Sequence, residues 1–238
     1  MTYAGILAAG AGVKMPRQDM PMQFLPLGEK PIIINTLEQF FINTNIDKIV
    51  VAAPESWKQF TEDLIGKYDK MGKEVVVIVG DESKTASVWT IVKYIEALWG
   101  INDNDILLTH DAVRPFVTQR MIDENIETAK RYDAAGTAMT TNDTILVSED
   151  GITVSDIPPK RKMFAAQTPQ TFKLKTLEAT FKNALKQNIT LSMESELARL
   201  YTREKKVIQF VHGEYSNMKI ISSYDLEVAN ALLRERST

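Results

Sequence analysis

The fold is indicated first by a short apolar run that ends in small residues: Tyr3-Ala4-Gly5-Ile6-Leu7-Ala8, followed by Ala9-Gly10-Ala11-Gly12. Later runs rich in Val, Ile or Leu predict three more buried strands, Lys48–Ala53, Glu74–Gly80 and Asp105–His110. Segments of helical periodicity separate these runs: Pro31–Phe41, Glu55–Tyr68, Thr85–Trp99 and Thr118–Arg131. Buried strands that alternate with helices predict a mainly parallel α/β sheet with helices on both faces, a three-layer sandwich.

This alternation breaks near Ala134. Asp150-Gly151 lies between two β-branched runs, Thr144–Val147 and Ile152–Val154, and is a strong turn signal. We therefore predict a protruding β-hairpin arm at about residues 140–165. The remaining predicted elements are an extended Gly136–Met139, helices at Leu174–Gln187, Glu194–Thr202 and Tyr224–Arg234, and extended segments at Val207–His212 and Met218–Ser222.

Length and composition indicate an ordinary globular protein with one domain, residues 1–238, of which 44% are hydrophobic and 25% charged. A net charge of −3 favours neither a nucleic-acid nor a membrane partner. The lack of cysteine excludes disulfides, thiolate metal sites and cysteine nucleophiles. Because no basic leader or long apolar run is present, we expect a soluble, cytoplasmic protein.

Two segments carry candidate chemistry at predicted strand ends. Small residues in Leu7–Met15 would let backbone N–H groups approach a phosphate, although the same glycines suit a simple tight turn. Asp111 follows a buried strand, where ligands of open α/β sheets bind, and a carboxylate there suits a Mg²⁺ that bridges a nucleotide triphosphate. Alternatively, Asp111 caps its loop and pairs with Arg114. His110 by itself is read as a packed or hydrogen-bonded histidine.

Two later segments are ambiguous when each is taken alone. Gln167-Thr168-Pro169-Gln170-Thr171-Phe172 reads as a polar turn that could equally start a helix. Lys219 lies two residues after Asn217, at the start of a predicted extended segment. A lone lysine, however, is usually a solvated surface charge.

Taken together and in order, these segments resemble the family of 2-C-methyl-D-erythritol 4-phosphate and ribitol-5-phosphate cytidylyltransferases, from Tyr3 to about Ala231. The family's motifs are Leu-Ala-(Ala/Gly)-Gly-x-Gly-x-Arg-Met, Pro-Lys-Gln, His-Asp-(Ala/Ser)-(Ala/Val)-Arg-Pro, Gln-Thr-Pro-Gln-x-Phe and Asn-(Ile/Leu)-Lys-(Ile/Val)-Thr. The resemblance implies a Rossmann-like nucleotidyltransferase fold. It also implies attack of a sugar-phosphate oxygen on the α-phosphorus of CTP, with Mg²⁺ present and pyrophosphate released.

The resemblance assigns roles to individual residues. It implies catalytic roles for Lys14, Lys219 and Asp111, with Asp111 as the metal ligand; nucleotide contacts at Ala8, Ala9, Gly10, Gly12, Asp81 and Ser87; and substrate contacts at Arg114, Asp143, Thr144, Lys160, Thr168 and Ser192. In the family, the arm reaches across a homodimer towards the neighbour's sugar phosphate. We therefore expect a homodimer, although the apolar arm residues could also pack on their own sheet.

The predicted acceptor is D-ribitol 5-phosphate, which would give CDP-ribitol, because Val113, Gln167 and Gly213-Glu214 resemble the ribitol branch. The alternative acceptor is 2-C-methyl-D-erythritol 4-phosphate.

Several basic residues of the family pattern are missing. Lysines stand for arginines at Lys14, Lys84 and Lys160, Met22 replaces the lysine of Pro-Lys-Gln, and Met193 replaces an aspartate. A thioether neither carries charge nor donates a hydrogen bond, so the loss at Met22 raises a second hypothesis, a catalytically impaired paralogue that still binds nucleotide. The third hypothesis is a nucleotidyltransferase whose nucleotide substrate carries a base other than cytosine.

Overall fold

The computed structural model describes residues 1–9, 20–81, 83–190 and 196–236, and its elements follow the predicted alternation closely in the first half of the chain. The strands are β1 Thr2–Leu7, β2 Pro26–Leu27, β3 Lys30–Pro31, β4 Lys48–Ala53, β5 Glu74–Val79, β6 Ile106–Asp111, β7 Ala134–Thr140, β8 Phe164–Lys173 and β9 Gln209–His212. The helices are α1 Ile32–Phe41, α2 Lys58–Tyr68, α3 Lys84–Trp99, α4 Gln119–Tyr132, α5 Leu174–Lys186, α6 Glu196–Arg203 and α7 Ser223–Arg236.

The main sheet has the strand order β5-β4-β1-β6-β8-β7-β9. The four strands predicted from apolar runs are mutually parallel, and Tyr3 on β1 lies opposite Lys48 on β4 and Leu107 on β6. Strand β8 runs antiparallel to both β6 and β7, while β9 is parallel to β7. The mainly parallel sheet is therefore confirmed.

Apolar side chains of adjacent strand residues point to opposite faces of this sheet. Ile49 and Val51 pack under α1, α2 and α4, whereas Val50 and Ala52 pack under α3, α5 and α6. Complete burial of one such Val or Ile side chain stabilises the fold by roughly 1.5–3 kcal/mol. Because alternate residues of β4 are buried on opposite faces, this one strand helps to stabilise the helical layers on both sides of the sheet. The predicted three-layer sandwich is confirmed.

A smaller apolar cluster attaches the last helix to the edge of this sandwich. It joins the β2–β3 hairpin and the loop after β6 to α7 through Leu27, Phe116, Ile220 and Ala229. The side chain of Asn230 accepts a hydrogen bond from the backbone N–H of Gly28 at 3.2 Å. Across the parts of the chain with assigned structure, no helix combines the length and apolar character needed to cross a membrane.

The arm differs from the prediction in its regularity. The segments Thr144–Val147 and Ile152–Val154 do not form strands, and one antiparallel bridge joins Val147 to Asp156. The turn at Asp150-Gly151 is confirmed, with Gly151 at a φ of 73°. The Asp150 carboxylate accepts the N–H groups of Ile152 and Thr153, which removes those donors from any strand ladder.

Two predictions in the second half of the chain are wrong. Gln167–Phe172 is neither a turn nor a helix start but the centre of β8, whose ladder lies between β6 and β7. Met218–Ser222 forms no strand, although the N–H of Ile220 donates to the carbonyl of Val113 at 3.0 Å.

Gly80 provides a test of how closely β5 approaches the end of β1. A Cβ atom at Gly80 would lie 2.4 Å from the Cβ of Ala9 and 3.0 Å from that of Ala52. We expect Gly80→Ala to lower the free energy of unfolding by about 1–3 kcal/mol in urea titrations, because neither neighbour can rotate away. Gly66→Ala in α2, where nothing lies within 4 Å, should instead raise it by about 0.5–1 kcal/mol. Equal stability of the two variants would contradict this packing.

Candidate active site

A cleft of about 280 Å³ opens where β1 and β6 end, at Leu7 and Asp111. The start of α3 and the middle of β8 border it, so the cleft collects side chains that lie far apart in the sequence. The polar and charged residues that line it include Lys84, Asp111, Arg114, Gln167, Thr168 and Lys219. The edge formed by the carboxyl ends of parallel strands is where α/β folds of this type bind ligands.

Asp111 is the centre of the charged groups in this cleft. The residue is only 2% exposed, and its Oδ1 lies 2.8 Å from the Nζ of Lys84. Its Oδ2 accepts a hydrogen bond from the Nε of Arg114 at 3.1 Å and lies 4.0 Å from the Nζ of Lys219. Three cations from three separate segments of the chain therefore converge on one buried carboxylate.

These cations keep Asp111 ionised. Burial by itself would raise the pKa of this carboxyl, but Lys84, Lys219 and Arg114 together hold that pKa well below its usual range. A carboxylate that is charged at every physiological pH, in a cleft rich in cations, suits a site for phosphate groups and their counter-ion.

Strand β8 and the segment before α7 form the opposite wall of the cleft. The hydroxyl of Thr168 accepts the backbone N–H of Asp111 at 3.1 Å. The Nη1 of Arg114 donates to the main-chain carbonyl of Asn217 at 2.8 Å. The structure therefore brings together four of the predicted site residues, Asp111, Arg114, Thr168 and Lys219.

Four of the predicted nucleotide contacts, Ala8, Ala9, Asp81 and Ser87, belong to chain segments that border this cleft. The Ser87 hydroxyl accepts the N–H of Asp81 at 2.9 Å and donates to its carbonyl at 3.1 Å, so these two residues are joined directly. The Thr90 hydroxyl donates to the Asp81 carboxylate at 2.6 Å. Ala8 and Ala9 follow β1, as the resemblance requires.

Other predicted residues are not part of the described cleft. Gly10, Gly12, Lys14 and Ser192 lie outside the residues that the structure describes. Asp143, Thr144 and Lys160 are exposed on the arm and do not line the cleft of their own chain. The ammonium group of Lys160 donates to the carbonyl of Asn142.

His110 has the packed role that the sequence suggested. Its ring is fully buried against Phe40, and its Nε2 lies 3.0 Å from the carbonyl of Arg114. Burial lowers the pKa of His110 to about 4, so the ring is neutral at physiological pH. A neutral ring can donate a hydrogen bond from Nε2 to the carbonyl of Arg114. This bond stabilises the turn from Asp111 to Arg114.

Met22 is 3% exposed and packs in the apolar cluster with Leu25, Phe116 and Ile220. It does not line the cleft. Gln23, the next residue, donates from Nε2 to the carbonyl of Ala8 at 2.7 Å and thereby ties this segment to the end of β1.

Sequence reasoning missed the roles of three polar side chains. Gln23 and Asn217 are both nearly inaccessible to solvent and hydrogen-bonded, and Lys84 forms an ion pair with Asp111. Gln23 and Asn217 lie inside family motifs, and Lys84 lies just before Ser87, so these positions were the signal in the sequence that pointed to them. Which atoms they contact depends on segments that are distant in sequence.

The residues present fit Mg²⁺ as a single-carboxylate site. No group of three or more His, Asp or Glu side chains suited to a metal occurs among the residues with described structure. Mg²⁺ commonly binds one or two carboxylates and completes its octahedron with water and substrate phosphates. Asp111, ionised and at the cleft, would be that carboxylate.

Comparisons with known proteins agree with this geometry. The sequence model of one family, IspD: 2-C-methyl-D-erythritol 4-phosphate cytidylyltransferase, matches residues 3–235. The crystal structure of 4-diphosphocytidyl-2C-methyl-D-erythritol synthase from Anaerococcus prevotii DSM 20548 is 25% identical, with a TM-score of 0.80 over 98% of both chains.

Two further solved structures are similar over nearly their full length. The 2-C-methyl-D-erythritol 4-phosphate cytidylyltransferase of Francisella tularensis is 29% identical, with a TM-score of 0.79, and covers 97% of this chain and 98% of its own. The enzyme of the same name from Thermus thermophilus is 25% identical, with a TM-score of 0.73 and coverages of 98% and 100%. These names support the alternative acceptor of the sequence analysis better than D-ribitol 5-phosphate.

The buried His110 predicts a specific loss of stability in acid. The pKa of His110 is about 4 in the folded protein and 6.5 for an ordinary histidine. Between these values the unfolded chain binds a proton that the folded chain does not, so the free energy of unfolding falls as the pH drops from about 6.5 to about 4. At about 1.4 kcal/mol per pKa unit, this amounts to ~3 kcal/mol.

Gln in place of His110 retains an N–H donor but does not titrate. Urea unfolding of wild type and His110→Gln between pH 7 and pH 4 should therefore show the variant losing ~3 kcal/mol less than the wild type. Parallel pH curves for the two proteins would contradict the assignment of a buried, neutral His110.

Proposed function

Because the chain belongs to the 2-C-methyl-D-erythritol 4-phosphate cytidylyltransferase (IspD) family, we propose that it transfers CMP from CTP to 2-C-methyl-D-erythritol 4-phosphate. A phosphate oxygen of the acceptor forms a bond to the α-phosphorus of CTP. The bond from that phosphorus to the oxygen bridging to the β-phosphate breaks, and pyrophosphate leaves with the bonding electron pair. The observation that carries the proposal is the convergence of Lys84, Arg114 and Lys219 on the buried Asp111.

This chemistry depends on charge and position rather than on a covalent intermediate. Lys219 and Arg114 stabilise the negative charge that grows on the phosphoryl oxygens, and Lys84 lies at the start of α3 where it can reach the same groups. By the resemblance, Lys14 is a further cation at the triphosphate. Mg²⁺ held by Asp111 would neutralise phosphate charge.

The nucleotide is proposed to bind on the β1 and β5 side of the cleft. Backbone groups of Ala8, Ala9, Gly10 and Gly12 would hold the triphosphate, as the resemblance implies. Asp81 and Ser87 would border the base and ribose, and the restrained backbone of Asp81 supports this assignment.

D-ribitol 5-phosphate is kept as a second acceptor because Val113, Gln167 and Gly213-Glu214 resemble the ribitol branch. Thr168 and Arg114, at the cleft, and Ser192 would contact either acceptor. The two acceptors share a phosphorylated primary hydroxyl and differ in the polyol, so one assay can compare them directly.

We further propose that the whole chain acts as one cytoplasmic domain and that the arm completes a homodimer. The arm carries Asp143, Thr144 and Lys160 on its exposed surface, with Lys160 in the basic run Lys160-Arg161-Lys162. Exposed apolar side chains at Leu146 and Ile152 support a protein contact there. In a dimer these polar groups would serve the neighbour's cleft.

The first test is pyrophosphate release with CTP, Mg²⁺ and either acceptor, for the wild type and Asp111→Asn. We expect release that prefers the erythritol acceptor, and a loss of about 10²- to 10³-fold in kcat for Asp111→Asn, because three cations would lose their counter-charge and a bound Mg²⁺ would lose its carboxylate. Asp103→Asn is the matched control, since Asp103 also pairs with a lysine but is exposed. It should retain wild-type kcat.

Each result of this assay separates the hypotheses. A preference for D-ribitol 5-phosphate would select the second acceptor, and turnover with UTP, ATP or GTP in place of CTP would indicate another base. Absence of release from the wild type with both acceptors would overturn the proposal and favour the impaired paralogue.

The arm generates a prediction about assembly. We expect light scattering to give twice the chain mass of 26.8 kDa for the wild type and the single mass for Leu146→Asp/Ile152→Asp. Ile152 is 88% exposed, so the change should disturb a partner contact and not the chain's own core. Met71→Asp, at a loop residue that is 62% exposed, should remain dimeric. A monomeric wild type at micromolar concentration would refute the arm-mediated dimer.

A further inference from the structure

The buried side-chain amide of Asn217 lies next to the cationic residues of the cleft. Asn217 is fully buried, and its Nδ2 donates to the carbonyl of Thr168 at 2.8 Å and to the Oε1 of Gln167 at 3.1 Å. Its main-chain carbonyl accepts the Nη1 of Arg114 at 2.8 Å. One residue therefore contacts both β8 and the Arg114 side chain.

We infer that Asn217 is a positioning residue, bound to β8 through Gln167 and Thr168, that holds Lys219 through the chain and Arg114 through its own carbonyl at the distances from Asp111 that the transfer reaction needs. The inference rests on the proposed function, and neither Asn217 nor Gln167 is assigned a step in it. Their action is exerted through the two cations.

The segment that carries Lys219 needs such an anchor. Residues 213–222 lie between β9 and α7 and form no helix or strand. Backbone hydrogen bonds hold the two ends of this segment, from Gly213 to the carbonyl of Ala138 and from Ile220 to the carbonyl of Val113, but neither of these bonds reaches β8. Lys219 is two residues beyond Asn217. If the Asn217 amide is lost, the ammonium group of Lys219 loses the connection to β8 that lies two residues away, while the bonds of Gln167 to Glu214 remain.

Gln167 makes the second half of this connection. Its Oε1 accepts the backbone N–H of Glu214 at 3.3 Å, and its Nε2 donates to the carbonyl of the same residue at 2.9 Å. A side-chain amide that bonds both backbone groups of one residue acts like a short piece of β-ladder. The segment is thus joined to β8 at Glu214 and again at Asn217.

The lack of a side chain at Gly213 allows the carboxamide of Gln167 to approach the backbone of the segment that carries Lys219. A Cβ atom at Gly213 would lie 2.5 Å from the Oε1 of Gln167 and 3.0 Å from the Cγ of Met139. Because Oε1 is the end of a flexible side chain, an alanine there would displace the Gln167 carboxamide while the strands remain in place. Gly213→Ala therefore offers a second, independent way to break the connection.

The experiment is a double-mutant cycle on kcat/KM for pyrophosphate release, using the wild type, Asn217→Ala, Lys219→Met and the double variant. We expect Asn217→Ala to lower kcat/KM by about 30-fold in the wild type and by less than about 3-fold in the Lys219→Met background, because residues that act through one another are not additive. The loss should fall mainly on kcat, since the cation is displaced from the reacting phosphate.

Asn125→Ala is the matched structural control. Asn125 is also fully buried; its Nδ2 donates to the carbonyl of Met121 and to the hydroxyl of Thr137, both at 2.8 Å, and its Oδ1 accepts the hydroxyl of Thr171 at 3.5 Å. None of these residues lines the cleft. It should lower the melting temperature much as Asn217→Ala does, yet keep kcat/KM within about 3-fold of the wild type at a temperature where both are folded.

Equal losses from Asn217→Ala in the two backgrounds would overturn the inference and leave the proposed function intact. A wild type that releases no pyrophosphate would overturn the proposed function and this inference with it. If Asn217→Ala does not fold, Gly213→Ala takes its place in the same cycle, with the same expected coupling to Lys219.

Discussion

A carboxylate that is buried and charged requires compensating charge, and in this protein that requirement organises the cleft. Removing one ion from water costs several kcal/mol, and leaving it unpaired in the interior is strongly destabilising. Asp111 meets the requirement with Lys84 from the start of α3, Arg114 from the loop after β6 and Lys219 from the segment before α7. The same three cations are what a triphosphate would need, so the stability of the cleft and its capacity for phosphate have one origin.

The sheet turns this local requirement into a defined geometry. Four parallel strands deliver Leu7 and Asp111 to one edge, and the antiparallel β8 crosses the cleft with its middle instead of its end. Its residues Gln167 and Thr168 therefore face both the Asp111 backbone and the irregular segment that carries Lys219. Ladder pairs to β7 at residues 164–166, and to both β6 and β7 at residues 170–172, hold β8 on either side of Gln167 and Thr168.

The departures from the family pattern have different structural consequences. Lys84, in place of an arginine, still reaches Asp111, although a single ammonium lacks the planar fork of a guanidinium. Met22, in place of a lysine, belongs to the apolar cluster that holds α7, so its side chain contributes packing at this position. The lysine at position 84 therefore retains an ion pair, whereas the methionine at position 22 puts a buried apolar side chain in place of a charged one.

Local patterns in the amino-acid sequence predict the parallel strands, most of the helices and the motifs that contain Asp111, Arg114 and Thr168, because periodicity and turn residues act over short distances. Tertiary contacts make Gln167–Phe172 a strand, since its ladder partners belong to β6 and β7, earlier in the chain, and its own composition favours a turn. The tertiary structure also decides that Asn217 meets Arg114, 103 residues earlier in the chain. Contacts of this range depend on how the sheet is assembled, and no local pattern encodes them.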